Sequence, residues 1–423
     1  VNHHGDRSTG AAPTGATAPA GAREDLTALL LENVHPVAER DLTEAGFTVR
    51  TAKGAMDEHE LVEALADVDV LGIRSKTQLS ATALESSDRL VAVGAFCIGT
   101  NQIDLTAASG RGVAVFNAPF SNTRSVVELA IAEIIALTRR LPQKDAALHA
   151  GTWDKSAEGA HEVRGRRLGI VGYGNIGSQL SVVAEALGMS VSFYDVQDKL
   201  AMGNAQRRST MEELLEDSDV VSLHVDGRTG NAGIFGEREF SRMKDGAIFI
   251  NLSRGFVADH ESLREHILSG HLAGAAIDVF PEEPKKQGDE FSSSLRGLPN
   301  VLLTPHIGGS TEEAQEDIGR FVAGKLRDFV STGATTLSVN LPGVGLEHAP
   351  GTHRLAHLHH NVPGVLARVN AVLAERGVNV EGQLLSTHGQ LGYLLTDVRA
   401  DYTPDLIAEL AGLAETVRLR IID

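Results

Sequence analysis

From about residue 24 onward, short apolar runs alternate with stretches whose apolar positions repeat at helical spacing. Leu26–Leu31, Thr48–Thr51, Val68–Ile73, Leu90–Ala95 and Val113–Phe116 read as strands. Val37–Ala45, Glu60–Leu65 and Ala83–Ser87 read as the helices between them. Ser125–Leu137 reads as a longer apolar helix, interrupted by Glu128 and Glu133. A second series follows, with strands at Leu168–Val171, Ser190–Asp195, Val220–His224, Ala247–Asn251, Ala273–Val279 and Val301–Leu303. Ser178–Leu187 is a helix of this series. Another begins at Thr210-Met211-Glu212-Glu213, where hydroxyl and carboxylate have the spacing of a reciprocal capping box. Helix Glu312–Val330 leaves the series, and Gly333–Gly345 has linker character. Strand–helix alternation of this kind predicts two parallel sheets covered by helices on both faces.

The pattern changes again near residue 352. His353–His359, Val378–Ser386, Tyr393–Arg399 and Val417–Ile422 read as strands, with helices at Pro363–Arg376, proline in the first turn, and Pro404–Leu413. A βαββαβ order in about 70 residues is the ferredoxin-like arrangement. The expected class is α/β: two Rossmann-like doubly wound lobes followed by a small ferredoxin-like domain.

Composition narrows the function. The 423 residues carry a formal charge of −18, which opposes binding to nucleic acid or an anionic membrane and makes any anionic ligand dependent on a local basic cluster. Aromatics are only 4%, too few for a base-stacking platform. Cys97 is the only cysteine, so no internal disulfide or cysteine zinc site is expected. There is no long uncharged apolar run and no signal-peptide pattern. The expectation is a soluble cytoplasmic protein with a disordered Gly/Ala/Thr/Pro-rich tail over residues 1–23.

The chemistry starts at Gly172-Tyr173-Gly174-Asn175-Ile176-Gly177, a G-x-G-x-x-G run between an apolar strand and a helix. Such a turn brings backbone N–H groups of Gly174, Asn175 and Ile176 to a pyrophosphate at the positive end of the helix. Asp195 closes the next strand, 18 residues beyond Gly177, where a carboxylate grips the adenosine ribose diol. No arginine follows it closely, which favours NAD over NADP. His224, also at a strand end, joins the cofactor candidates.

Ligands collect beyond the carboxyl ends of such strands. Arg254, Asp278 and His306 each follow one, with Glu282 and Glu283 close behind Asp278. A neutral histidine suits removal of a hydroxyl proton, a carboxylate on its far nitrogen fixes the tautomer, and an arginine can hold a carboxylate bidentately. By position alone, Arg254 could equally be an ion-pair partner of Glu282 or Glu283, and Asp278 a turn cap.

The runs Phe96–Asp104, Phe116–Ser125, Leu168–Leu180, Asn251–Gly255, Gly274–Pro284 and Leu302–Ala314 resemble the D-2-hydroxyacid dehydrogenase family. The resemblance spans residues 24–423 and is strongest to the bacterial branch that oxidises 3-phospho-D-glycerate and carries one C-terminal ACT domain. It implies a discontinuous substrate domain (24–121 and 309–345), an NAD-binding domain (122–308), a linker (346–351) and an ACT domain (352–423). It implies His306 as proton acceptor, Glu283 as its partner, Arg254 as carboxylate anchor and Asp278 on the nicotinamide carboxamide. Ile98 and Gly99 would also meet the substrate carboxylate; Lys53, Arg74 and Lys155, with Ser75 and Asn122, would meet its phosphate. His359, Asn361 and Asn379 match an L-serine effector site formed where two ACT domains pair; His360 and Val362 stand where the family has glutamate and arginine. A homotetramer, serine feedback and a side reduction of 2-oxoglutarate complete the expectation, with no metal. The rivals are a dehydrogenase for another D-2-hydroxy acid and a nicotinamide-sensing, corepressor-like binding protein of the same fold.

Overall fold

The computed structural model describes residues 26–284, 288–347, 351–399 and 403–422. The expected tail, and residues 348–350 of the expected linker, lie outside these. The chain divides into two compact units, one formed by Val1–Pro119 with Glu316–Asp423, the other by Phe120–Gln315.

The first unit opens with β1 (Leu26–Leu30), β2 (Phe47–Thr51), β3 (Val70–Ile73), β4 (Ala92–Ala95) and β5 (Ala114–Asn117). They form one parallel sheet in the order β2-β1-β3-β4-β5. β3 and β4 are buried along their whole length, as uninterrupted apolar runs require of a sheet covered on both faces. The second unit holds β6 (Arg167–Val171), β7 (Ser190–Tyr194), β8 (Gln206–Arg207), β9 (Val220–Leu223), β10 (Ala247–Asn251), β11 (Leu272–Ile277) and β12 (Val301–Leu303). This sheet is also parallel, in the order β12-β11-β10-β9-β6-β7-β8.

The C-terminal segment contains β13 (His353–His360), β14 (Val380–His388), β15 (Leu391–Val398) and β16 (Thr416–Ile422), antiparallel in the order β14-β15-β13-β16. Helices Val365–Glu375 and Pro404–Ala411 share a core with Leu355, Leu394 and Leu419 on one face. Much of the other face is covered as well: Ala356, Leu358, Tyr393 and Leu395 join the core of the first unit with Phe116, Leu326 and Phe329, while Leu384 of the edge strand stays exposed. Tyr393 donates its hydroxyl to the Gly333 carbonyl at 2.8 Å. Arg354, fully buried, pairs through Nε and Nη2 with both oxygens of Asp397 at 2.6 and 2.7 Å. The small sheet is therefore built into the first unit.

Several local expectations are corrected. Helices Leu105–Gly110 and Leu141–His149 were not anticipated; their apolar periodicity is weak, and the second buries no residue. The stretch 333–345 is not a free linker: the Asn340 side chain accepts from Val115 N at 2.8 Å and donates to the Val113 carbonyl at 2.9 Å, covering the outer edge of β5. Thr210 caps its helix by accepting from Glu213 N, but the Glu213 carboxylate takes the N–H of Ser209 instead of that of Thr210. The helix expected from Pro363 begins at Val365, after Gly364 at φ +90°. Asn379 lies just before β14, not on it.

Candidate active site

The nucleotide-binding turn is built as its glycines require. Gly172 has φ +93°, and a Cβ there would lie 2.7 Å from the His224 backbone; one on Gly177 would lie 2.3 Å from the Gly172 carbonyl oxygen. Helix Asn175–Ala186 starts immediately after Gly174, so the N–H groups of Asn175 and Ile176 belong to its first turn. Asp195 accepts from Tyr173 N and Gln197 N, both at 2.8 Å, which fixes its carboxylate beside the turn. A cavity of about 400 Å³ runs past Gly172, Gly174, Asp195 and His224. His224 bonds Ser222 Oγ through Nε2 at 2.8 Å, and burial pushes its pKa down to about 4, leaving a neutral ring at pH 7. Turn, helix terminus and carboxylate fit a dinucleotide, which would lie with its pyrophosphate at Gly174–Ile176 and its adenosine ribose at Asp195.

The same cavity is lined by Arg228, which was not anticipated. It clamps Asp226 through Nε and Nη2, and Asp226 also accepts from Asn231 Nδ2 at 2.9 Å. It reaches the cavity from the loop after β9, so it does not neighbour Asp195 along the chain.

Beyond β10, β11 and β12 the acid, base and arginine candidates gather within the second unit. Glu283 binds His306 Nδ1 through Oε2 at 2.9 Å and Oε1 at 3.1 Å, and Oε1 also accepts from Phe280 N at 3.1 Å. Nδ1–H therefore points at the carboxylate, and Nε2 is left as the basic nitrogen. The hydrogen bond that His306 donates to Glu283, opposed by partial burial, raises the His306 pKa above its ordinary value. Burial pushes Glu283 upward, but its bonds to His306 and Phe280 N outweigh this and its pKa is lowered. His306 itself sits at φ +55°, a left-handed conformation that costs a non-glycine residue about 1 kcal/mol or more.

Asp278 explains how that conformation is held. Its Oδ1 accepts from Thr304 Oγ1 at 2.6 Å and Ile307 N at 2.8 Å, and Oδ2 from Gly308 N at 2.8 Å. The turn-cap alternative is thus realised: Asp278 braces the loop that presents His306. Arg254 makes no ion pair with Glu282 or Glu283 among the described residues; its Nη1 donates to the Ser253 carbonyl at 2.6 Å. Asn251 shapes this loop, accepting from Ser253 N and Oγ and donating to the Arg254 carbonyl. Glu133 was also missed as more than an interruption of an apolar helix. It is buried with neither oxygen bonded among the described residues, and burial, with a smaller push from Asp278, drives its pKa up to about 8.

In the first unit, Lys53, Arg74 with Ser75, and Ile98-Gly99 follow β2, β3 and β4 respectively, on the same carboxyl edge. The Ile98 carbonyl accepts from Asn117 Nδ2 at 2.6 Å, which turns the Gly99 N–H the other way. Asn122 and Lys155 belong to the second unit. Asn122 precedes helix Thr123–Thr138 and its buried Oδ1 has no partner among the described residues; Lys155 is exposed.

In the small sheet, His359 is buried, its Nδ1 on the His360 carbonyl at 2.8 Å and its Nε2 unpartnered among the described residues. Asn361 donates to the Gly389 carbonyl at 3.2 Å. Asn379 lies at the opposite end of the sheet: Leu391 to Val398 separates the two ends, about 23 Å at ~3.3 Å per residue. One copy of the chain does not bring Asn379 to His359 and Asn361.

A dinucleotide turn, an imidazole–carboxylate pair and an arginine on neighbouring strand ends define a nicotinamide-dependent dehydrogenase. Residues 131–308 match the NAD-binding domain of the D-isomer specific 2-hydroxyacid dehydrogenases, and residues 355–418 match the AHAS small subunit-like ACT domain. The chain is 49% identical over 395 residues to D-3-phosphoglycerate dehydrogenase of Haemophilus influenzae, covering 93% of this chain and 96% of that one. It is 48% identical over 403 residues to D-3-phosphoglycerate dehydrogenase of Escherichia coli strain K12, covering 95% and 98%. The structure of D-2-hydroxyisocaproate dehydrogenase superposes with a TM-score of 0.69 at 26% identity, over 74% of this chain and 100% of that one. The chain belongs to the D-2-hydroxyacid dehydrogenase family. It is an NAD-dependent oxidoreductase with two Rossmann-like lobes and a C-terminal ACT domain, and no helix among its described residues is long and apolar enough to cross a membrane.

Proposed function

We propose that the enzyme oxidises 3-phospho-D-glycerate at C2 to 3-phosphooxypyruvate, the first step of L-serine synthesis. The observation that carries the chemistry is the His306–Glu283 pair, 2.9 Å apart at Nδ1. With Nδ1–H committed to Glu283, Nε2 of His306 takes the proton of the C2 hydroxyl as the C2 hydride departs. Glu283 stabilises the imidazolium that forms. Arg254 and the Gly99 N–H hold the substrate carboxylate, and the guanidinium also stabilises the developing carbonyl. Bound NAD supplies the hydride acceptor. Lys53, Arg74 and Lys155, with Ser75 and Asn122, take the phosphate, concentrating positive charge in a chain of net −18.

The choice of 3-phosphoglycerate is supported by the near full-length likeness to D-3-phosphoglycerate dehydrogenases. L-Serine is the proposed feedback effector, bound by His359 and Asn361 of one copy with Asn379 of another, within a cytoplasmic homotetramer. The separation of those residues along the sheet supports a site made by two copies. Reduction of 2-oxoglutarate is a proposed side activity of the same site. NADH formation followed by absorbance, with 3-phospho-D-glycerate, D-lactate and D-glycerate and with or without L-serine, tests the reading. Preference for 3-phospho-D-glycerate and inhibition by serine are expected. Preference for an unphosphorylated acid would overturn the substrate, and an unchanged rate with serine would overturn the effector.

A further inference from the structure

Between β1 and helix Pro36–Glu44, Glu32 and Asn33 adopt φ +61° and +54°, two successive left-handed residues neither of which is glycine. Conformations of this kind cost about 1–2 kcal/mol per residue and persist only where surrounding bonds overdetermine them. Here the bonds are explicit. The Glu32 side chain turns inward, leaving the residue only 8% exposed. Its Oε1 accepts from Arg74 N at 3.2 Å and Thr77 N at 2.8 Å, and its Oε2 from Lys76 N at 2.9 Å. One carboxylate thus fills a concavity of backbone N–H groups in the loop after β3, the kind of nest that binds anions.

The same turn grips a second loop through its backbone. Glu32 N donates to the Gly54 carbonyl at 3.1 Å, and Asn33 N to the Ala52 carbonyl at 3.3 Å. These acceptors flank Lys53. Glu32 therefore fastens both the loop that carries Lys53 and the loop that carries Arg74, Ser75 and Lys76. No group of the proposed hydride or proton transfer is among its partners. Its partners are the segments whose cations are assigned to the substrate phosphate.

We propose that Glu32 is the positioning residue of the phosphate site. It sets the spacing of Lys53 and Arg74, and so the selectivity for a phosphorylated over an unphosphorylated hydroxy acid, without touching the substrate. An arginine or lysine on a loose loop is a diffuse charge, whereas two cations on loops fastened to one turn form a preorganised dianion receptor. Removing the carboxylate leaves three N–H donors of one short loop without their acceptor. This inference rests on the assignment of Lys53 and Arg74 to the phosphate.

The test is the kcat/KM for 3-phospho-D-glycerate divided by that for D-glycerate, with separate kcat and KM values and the Kd for NAD, in the full-length enzyme. Glu32→Ala is expected to lower this ratio at least tenfold, chiefly through KM for the phosphorylated substrate, with the Kd for NAD changed less than twofold. Glu32→Gln, which keeps one carbonyl acceptor in the nest, is expected to recover part of the loss and guards against a folding failure in the alanine variant. Arg74→Ala serves as the reference. A ratio that falls in Arg74→Ala but holds in both Glu32 variants overturns the role of Glu32. Equal losses on both substrates overturn it as well, since they mark a general structural effect. A ratio unmoved by Arg74→Ala overturns the phosphate assignment and the inference with it.

Discussion

At the carboxyl edge of the seven-stranded sheet, side chains do the holding: Asp278 braces the His306 loop, Glu283 of the same loop as Asp278 fixes the imidazole, and Asn251 shapes its own loop, which carries Arg254. At the same edge of the five-stranded sheet, the side chains proposed to meet the phosphate stand on loops fastened through their backbones to one strained turn at Glu32 and Asn33. Both sheets are parallel, though their strand orders differ, and the tasks proposed for their edges differ too. Proton transfer needs one nitrogen in one tautomer, which only side-chain partners can specify. Recognition of a dianion needs cations at a set separation, which backbone anchoring supplies.

The sharpest way to break this contrast is at His306. His306→Ala is expected to lower kcat by about 10³-fold, in line with loss of a general base, with the Kd for NAD within twofold. Steady-state rates and a cofactor fluorescence titration check it; a variant that retains most of its turnover would remove His306 from the chemistry. The ACT sheet offers a stability counterpart. Arg354→Met leaves Asp397 as an uncompensated buried charge and is expected to destabilise the first unit by about 3 kcal/mol, read by denaturant unfolding. A double replacement of Arg354 and Asp397 by apolar residues should recover much of that loss.

Glu133 gives a pH-dependent effect of opposite sign. Its pKa of about 8 in the folded protein lies above its unfolded value, so the unfolded state loses the proton first as pH rises. Its contribution is full below pH ~4.5 and is lost progressively up to about pH 8. Glu133→Gln should therefore stabilise the protein by about 3 kcal/mol at pH 7 and not at all at pH 4, measured as unfolding free energy at each pH. The smallest expected effect is a displacement of a titration. Because Glu283 raises the His306 pKa and activity in oxidation needs the neutral ring, the acid limb of kcat/KM should move to lower pH in Glu283→Gln. An acid limb that stays in place would mean that His306 does not govern it.

Much of the larger site was legible in the chain because its signals are local. The glycines of Gly172–Gly177 sit between a strand and a helix, and Arg254, Asp278 and His306 each follow an apolar run. What escaped depends on distant partners. Glu32 looks like an ordinary charge after a strand, and its acceptor role appears only when residues 74–77, more than 40 positions downstream, are placed beside it. Arg228 carries no local signal, because it meets the Asp195 cavity from a loop more than 30 positions downstream. Residues 333–345 carry linker composition, yet Asn340 finds the unpaired edge of β5, which polarity alone cannot announce. The ACT strands showed their order but not their second buried face. Tyr393, Leu395 and Ala356 read equally well as facing solvent partners or a neighbouring core.

The division of labour between the two edges is tested most directly by the ratio of kcat/KM for 3-phospho-D-glycerate to that for D-glycerate in two variants. Arg74→Ala is expected to reduce the ratio by at least tenfold. His306→Asn is expected to depress both substrates together and leave the ratio within about twofold. A ratio altered by His306→Asn, or one indifferent to Arg74→Ala, would contradict the account.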